Sequence, residues 1–158
     1  MQPKRVLELG TFSGYSALCM AEAMPDEGIL HTIEIDDELE DFIRENLASV
    51  DFGKKIHLHI GDAVEEIQKL DETFDLIFMD ADKRQYLTYY ELTFSKLAKG
   101  GIILADNTLW SGKVVEPLVH NDKQTKALLE FNEFIAKDER VEKIILPLRD
   151  GLTIIRKK

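Results

Sequence analysis

Hydrophobic positions along the chain follow two alternating patterns. Short runs rich in Val, Ile and Leu, typical of buried strands, occupy residues 5–9, 28–35, 55–61, 74–80 and 100–107. Between them lie stretches with the three- to four-residue spacing of an amphipathic helix, at residues 14–24, 37–50, 63–70 and 85–97. Strands that alternate with helices favour a parallel sheet covered by helices on both faces. The sequence therefore predicts an α/β fold of the Rossmann-like, doubly wound kind with a mostly parallel sheet.

The pattern changes after residue 107. Residues 107–117 have the composition of a loop, residues 125–137 predict a further helix, and residues 141–158 predict two strands around the turn Arg-Asp-Gly. We expect these two strands to form a C-terminal antiparallel hairpin. Because neither a linker nor a repeat interrupts the chain, its 158 residues predict one domain, residues 1–158.

Composition and charge exclude several classes of protein. With 44% hydrophobic residues, no apolar run long enough for a bilayer and no signal-peptide core, the chain is expected to be cytoplasmic and to have no membrane partner. The net charge of -10 argues against a broad nucleic-acid surface. The single cysteine, Cys19, lies in an apolar run, and we expect a small buried side chain rather than a nucleophile.

The turn after the first strand has the composition of a nucleotide-type site. Gly10 and Gly14 allow a sharp turn and a close approach of a ligand to main-chain N–H groups. A dinucleotide fingerprint is not matched, because Phe12 stands where a second glycine is required. Glu8 precedes the turn, and Glu34 ends the next strand at the usual spacing of an acid that binds ribose hydroxyls. These residues favour an adenosine ligand; alternatively, the glycines serve only the turn and Glu34 caps a helix.

Acidic and amide side chains end the fourth and fifth predicted strands. Asp80 ends the fourth, and Asp106 and Asn107 end the fifth. If these strands are neighbours, their carboxyl ends share one edge of the sheet and the three side chains converge there. A divalent cation would relieve the repulsion of the two carboxylates, and oxygen donors suit Mg²⁺, Mn²⁺ or Ca²⁺ rather than zinc. The alternative is that both aspartates are helix caps or turn residues.

Two further features allow a functional and a structural interpretation. His57 and His59 alternate on one strand face, but no thiol or carboxylate accompanies them in the sequence, which favours a solvated or half-buried strand face over a metal site. Trp110 and Ser111 follow Asn107 on a glycine-containing loop and are candidates for contact with a substrate. The tryptophan fits a pocket wall or a hydrophobic plug equally well.

A resemblance to a known family is carried by three segments, VLELGTFSGYSA, DADK and ADNTLWSGKV. Together they resemble the cation-dependent class I O-methyltransferases, which include caffeoyl-CoA and catechol O-methyltransferases and many bacterial relatives. The resemblance extends over nearly the whole chain and implies S-adenosylmethionine as the cofactor. It implies that the cofactor is bound by Glu8, Gly10, Thr11 and Ser16 at its methionine end, Glu34 at the ribose, Ala63 at the adenine, and Asp82.

The same resemblance implies a second half of the site. Asp80, Asp106 and Asn107 would hold the divalent cation, most simply Mg²⁺, and Lys83 would lie beside the reacting hydroxyl as a base or as a stabiliser of the oxyanion. Asp80 and Lys83 are thus the expected catalytic residues. The expected reaction transfers a methyl group to a hydroxyl of a small catechol-like or phenolic acceptor.

Three other functions are compatible with the sequence. A nicotinamide-dependent dehydrogenase shares the fold but requires the missing glycine. A tRNA wobble hydroxyuridine methyltransferase fits the bacterial branch of the family, although the acidic charge speaks against a large RNA footprint. An inactive cofactor-binding interaction module is the third. Family members carry helices before the first strand, whereas here the first predicted strand begins at Arg5; we expect a fragment or an unusually open cofactor site, and a homodimer if the full-length protein has those helices.

Overall fold

The computed structural model describes residues 1–158 and confirms the α/β fold. The strands are β1 (Arg5–Leu9), β2 (Ile29–Glu34), β3 (Ile56–Ile60), β4 (Phe74–Met79), β5 (Leu97–Asp106), β6 (Val141–Leu146) and β7 (Leu152–Lys157). The α-helices are α1 (Tyr15–Ala23), α2 (Glu40–Ala48), α3 (Ala63–Lys69), α4 (Tyr86–Lys96) and α5 (Lys123–Lys137). No helix combines the length and the hydrophobicity needed to cross a bilayer.

All seven strands form one sheet in the order β3-β2-β1-β4-β5-β7-β6. Strands β1 to β5 are parallel, and β7 runs antiparallel to both of its neighbours, β5 and β6. The predicted C-terminal hairpin is therefore confirmed. Because the strand order reverses between β1 and β4, their carboxyl ends open a crevice of the kind in which α/β proteins bind ligands.

The larger part of the core lies on the face of the sheet that packs against α3, α4 and α5. Alternate strand residues point to opposite faces, and Ile77, Met79 and Ile103 point to this one. They share a buried cluster with Tyr86 of α4 and Phe131 of α5, whose rings meet edge to face with centroids 5.5 Å apart. This packing fixes the start of α4 against the sheet.

The opposite face has a smaller buried cluster. There α1 packs Ala17 and Met24 against Val6 and Leu30. Beyond α1 an apolar groove of about 330 Å³ follows β4, β5 and β7. Its lining residues include Met1, Met20, Leu76, Ile102, Leu104 and Ile154. The expected association of two copies stays a prediction.

Two expectations about individual side chains were wrong. Cys19 is exposed rather than buried, because α1 turns Ala17 and Ala21 toward the sheet and Cys19 lies between them on the outer side. In the helix predicted over residues 37–50, the amphipathic spacing puts Leu39, Phe42, Ile43 and Leu47 on one face. Ile43 and Leu47 are buried, but Phe42 is 49% exposed. Both differences arise because each helix buries only a narrow strip of its surface, with two buried residues in each, so that neighbouring apolar residues remain exposed.

Candidate active site

An open cleft of about 840 Å³ lies at the carboxyl ends of β1, β2, β4 and β5. Eight of the residues predicted for the site line it: Gly10, Thr11, Ser16, Glu34, Ala63, Asp80, Asp82 and Asp106. They come from segments up to 96 positions apart in the chain. The sheet topology thus brings most of the predicted cofactor residues and two predicted metal ligands to one crevice.

Gly10 permits the closest approach between the two sides of this cleft. Its φ of 94° lies in the left-handed region, and a Cβ at this position would lie 2.5 Å from the carbonyl oxygen of Asp80. That distance is too short for any side chain, so only glycine lets the end of β1 lie against the end of β4. The glycine turn and Asp80 are therefore held in a fixed relation.

Glu34 connects the glycine turn to the end of β2. One carboxylate oxygen accepts hydrogen bonds from the backbone N–H groups of Thr11, at 3.2 Å, and Phe12, at 2.7 Å. The other accepts from the N–H groups of Ile35 and Asp36, both at 3.0 Å. A carboxylate has about four acceptor positions, so the chain itself engages all of them. A ribose hydroxyl that binds Glu34 must share these oxygens with the backbone.

Glu8 lies fully buried beneath the cleft. Its two carboxylate oxygens accept hydrogen bonds from the hydroxyls of Ser16 and Thr32, each at 2.5 Å, and Thr32 also contacts the hydroxyl of Thr11 at 2.6 Å. Burial raises the pKa of Glu8 to about 7; the hydroxyls lower it, and the negative charges of Asp80 and Glu34 raise it. A positive group in the cleft would favour ionised Glu8.

Asp82 and Ala63 begin the two helical segments on the far side of the cleft. The Asp82 carboxylate accepts from the backbone N–H of Arg84 and is bound by its guanidinium at distances from 2.6 to 2.9 Å. These bonds hold the pKa of Asp82 below its ordinary value. Ala63 starts α3 after the N-cap Asp62, whose side chain accepts from the N–H of Val64.

The carboxylates at the ends of β4 and β5 are only partly paired. One oxygen of Asp80 accepts from the Lys83 ammonium at 2.7 Å, and one oxygen of Asp106 accepts from the N–H of Asn107 at 2.7 Å. The second oxygen of each makes no hydrogen bond within the chain. Nowhere do three His, Cys, Asp or Glu side chains converge to hold a metal ion. The two free carboxylate oxygens and the amide oxygen of Asn107 nevertheless have the chemistry that Mg²⁺ prefers.

Lys83 is almost completely buried beside Asp80. Its ammonium donates to Asp80 and, at 2.5 Å, to the hydroxyl of Tyr86. That hydroxyl lies 3.0 Å from the carbonyl oxygen of Met79 and 2.9 Å from that of Asp106. Sequence reasoning missed Tyr86; its position three residues after Lys83, one helical turn away, is the signal that could have revealed it.

The loop after β5 does not bring Trp110 or Ser111 into the lining of the cleft. Asn107, which is also outside the lining, and both loop residues have positive φ values, 58°, 48° and 53°. The Trp110 side chain is half-buried against the main core, which favours a hydrophobic plug over a pocket wall. The turn between β6 and β7 binds this loop, since the carbonyl groups of Asp150 and Gly151 accept from Leu109 and Thr108.

The cleft also contains residues that the sequence did not single out. Phe12, Tyr15 and Ile35 line it although their side chains are largely exposed, and Arg84, Tyr89 and Gln124 complete its outer wall. The sequence does contain a signal for Phe12: a large apolar residue in a turn between two glycines is not expected to be buried in the core. Such exposed rings and alkyl groups are suited to contact with a planar ligand.

The two histidines of β3 belong to a separate cluster. His57 is exposed and His59 half-buried, consistent with the predicted strand face. The structure adds His31, whose ring nitrogens lie 2.8 Å from His59 and 3.0 Å from the carboxylate of Glu72. Burial lowers the pKa values of His31 and His59. The carboxylate partner that the sequence did not reveal is therefore present, but the group does not form a metal site.

The position of the cleft at the strand-order reversal, together with the glycine turn and its acids, fits a class I methyltransferase. A family model described as O-methyltransferase matches residues 1–158. The chain is 36% identical to "Probable caffeoyl-CoA O-methyltransferase 2" of Dictyostelium discoideum, covering 99% of this chain and 70% of that protein. It is 37% identical to "Catechol O-methyltransferase domain-containing protein 1" of Mus musculus, covering 98% and 60%.

A solved structure gives the same result. The chain superposes on the SAH-bound Podospora anserina methyltransferase PaMTH1 with a TM-score of 0.88 and 32% identity, covering 99% of this chain and 72% of that one. The chain therefore belongs to the O-methyltransferase family, as an S-adenosylmethionine-dependent enzyme of the caffeoyl-CoA and catechol type. The predicted family, S-adenosylmethionine as cofactor and the enzyme class are confirmed, whereas the divalent cation stays a prediction.

Proposed function

We propose that this enzyme methylates one hydroxyl of a small catechol-like or phenolic acceptor and that it requires a divalent cation. The observation that carries the proposal is the pair of partly unbonded carboxylates, Asp80 and Asp106, at neighbouring strand ends beside a buried lysine. A catechol offers two adjacent oxygens, which is the arrangement that a cation at this edge would bind. The names of two relatives, which refer to caffeoyl-CoA and catechol, agree with such an acceptor.

The side chains at this edge have separate tasks in the proposal. Asp80, Asp106 and Asn107 hold the cation through oxygen atoms. When bound, a divalent cation supplies positive charge that lowers the pKa of an acceptor hydroxyl. Lys83 stabilises the acceptor oxygen as it loses its proton; the ammonium has three hydrogens, and only two are engaged by Asp80 and Tyr86.

The other half of the cleft orients the methyl donor. Glu8 lies where a carboxylate beneath the cleft attracts the positively charged methionine end of the cofactor, and Glu34 lies where it reaches the ribose. Phe12 and Ile35 provide apolar surface for the adenine beside Ala63. Fixing donor and acceptor in line is itself a large part of catalysis, and the contact between Gly10 and Asp80 keeps the two halves at a constant separation.

The test is methyl transfer from radiolabelled S-adenosylmethionine to caffeoyl-CoA and to caffeic acid, with Mg²⁺ or with EDTA. We expect activity with Mg²⁺, loss in EDTA and recovery when Mg²⁺ is restored. The matched variants are Asp106→Asn, which removes one charge at the proposed metal site, and Asp71→Asn, which removes one on an exposed loop. Full activity in EDTA would contradict the metal requirement, and methylation of hypomodified tRNA alone would contradict the small acceptor.

A further inference from the structure

The hydroxyl of Tyr86 lies where three parts of the active site meet. It accepts a hydrogen bond from Lys83 at 2.5 Å, and it lies within bonding distance of the carbonyl oxygens of Met79 and Asp106. Met79 immediately precedes Asp80, and both β4 and β5 end at these carbonyls. One buried atom is thus linked to the backbone of one proposed metal ligand, to the residue before the other, and to the lysine.

The surroundings of Tyr86 suit this position. The ring is fully buried, and it packs edge to face on Phe131 while the Lys83 ammonium lies 4.6 Å from its centroid. Burial, with the negative charges of Asp80 and Asp106, holds the pKa of the phenol well above its ordinary value. The hydroxyl accepts from Lys83, and its single proton is shared between the two carbonyls in a three-centre hydrogen bond.

The strand pairing explains why a bridge is useful here. The last residues of β4 and β5 that face each other in the ladder are Met79 and Ala105. Asp80 and Asp106 lie one residue beyond that pair, so neither has a ladder partner on the other of these two strands. The Tyr86 hydroxyl, whose one proton is shared by the carbonyls of Met79 and Asp106, joins the two strands at this point.

We propose that Tyr86 is a positioning residue for methyl transfer, because its hydroxyl sets the separation of the β4 and β5 ends and the location of the Lys83 ammonium. The inference rests on the proposed function, since it assigns Tyr86 to the cation site and lysine named there. Tyr86 itself does not line the cleft. It acts through the residues that do, and through Lys83.

Tyr90 is a matched control on the same helix. It is also fully buried and also packs edge to face on Phe131, but its hydroxyl donates to Asp138 at 2.8 Å, away from the cleft. Tyr86→Phe and Tyr90→Phe each remove one buried hydroxyl without changing the ring. A general loss of packing or stability would affect both variants, whereas a positioning effect would appear only in the first.

The experiment measures Mn²⁺ affinity by electron paramagnetic resonance, steady-state kinetics with caffeoyl-CoA, and the melting temperature. We expect Tyr86→Phe to lose about 10- to 100-fold in Mn²⁺ affinity and kcat, as is usual when the partner of a metal ligand is removed. Its KM for S-adenosylmethionine should stay within about twofold of wild type, because the substitution removes no contact that binds the cofactor in the ground state. Tyr90→Phe should lose a similar amount of thermal stability and keep both affinity and kcat.

The outcomes separate this inference from the proposed function. Wild-type protein that binds no Mn²⁺ would contradict the proposed metal site. In that case kcat decides whether Tyr86 positions Lys83: a decrease in kcat in Tyr86→Phe but not in Tyr90→Phe would support the inference. If wild type binds Mn²⁺ and Tyr86→Phe matches it in affinity and kcat, Tyr86 has only a structural role. Equal losses in both variants would also overturn the inference.

Discussion

The carboxylates at the two ends of the cleft differ in their hydrogen bonds. The cofactor end contains Glu8 and Glu34, and the acceptor end contains Asp80 and Asp106. At the cofactor end, both oxygens of Glu8 accept from hydroxyls and both oxygens of Glu34 accept from backbone N–H groups. At the acceptor end, Asp80 and Asp106 each have one oxygen without a hydrogen bond, and one lysine supplies the positive charge. The chain alone therefore completes the cofactor end, whereas the acceptor end retains negative charge that a cation could balance.

Changing Lys83 should give the largest effect, because it removes the only positive side chain bonded to the acceptor end. We expect Lys83→Ala to bind S-adenosylhomocysteine like wild type but to lower kcat by about 10²- to 10⁴-fold, because the group that assists the loss of the acceptor's proton is removed. Lys83→Arg keeps the charge but not the proton acceptor, so recovery of activity in this variant would assign an electrostatic role. An unchanged kcat in Lys83→Ala would show that Lys83 plays no part in catalysis.

Asp106→Ala tests whether the acceptor end needs its second carboxylate. We expect loss of Mg²⁺ binding together with a decrease in kcat of about 10²- to 10³-fold, the usual effect of removing one strong electrostatic contact. Excess Mg²⁺ should restore part of the rate because the remaining oxygens still bind weakly. Calorimetry with Mg²⁺ and initial rates over a range of Mg²⁺ concentrations provide the measurement. Unchanged Mg²⁺ affinity would remove Asp106 from the site.

Glu8→Gln sharpens the comparison at the cofactor end through the pH dependence of stability. The folded-state pKa is raised from 4.5 to about 7, so the protonated form favours folding and stability is lost as pH rises between these values. The loss is about 3 kcal/mol across this window, and glutamine should abolish it. Denaturant unfolding at several pH values, with Glu65→Gln on the surface of α3 as the control, measures the difference. An identical pH dependence in wild type and Glu8→Gln would contradict the raised pKa.

Glu34→Ala should give the smallest effect, and it acts on cofactor affinity rather than on kcat. Loss of a buried bond to the ribose and of the support for the glycine turn should weaken S-adenosylhomocysteine binding by about 1–3 kcal/mol. Glu38→Ala, which changes an exposed side chain in the next turn of the chain, should have no effect. Calorimetry measures both, and tighter binding of NAD than of S-adenosylhomocysteine by wild type would refute the cofactor assignment.

Four of the predicted residues that line the cleft share one property. Gly10, Glu34, Asp80 and Asp106 lie at strand ends, and in a parallel sheet the strand ends meet at one edge whatever the details of packing. The order of the elements was therefore enough to bring them together. The hairpin could be predicted for a different reason: turn residues between two β-branched runs indicate that neighbouring segments of the chain pair with each other.

What could not be predicted depends on contacts between distant side chains. The role of Tyr86 requires knowledge that its ring enters the core between β4, β5 and α5. Two of the four N–H bonds to Glu34, from Thr11 and Phe12, depend on the fold of a turn 23 and 22 residues earlier. The exposure of Cys19 depends on which face of a short helix meets the sheet. Hydrophobic pattern gives the existence of these elements but not their rotation.

The position of β7 has a consequence for the order in which the site forms during synthesis. β7 is made after β5 and β6 yet lies between them, and the turn that precedes it binds the loop after β5 through Asp150 and Gly151. The ribosome therefore completes the glycine turn and Glu34 more than a hundred residues before the partners of that loop emerge. Because a domain generally folds as a unit, the residues of the cofactor end emerge early but must wait for β7 before the site is complete.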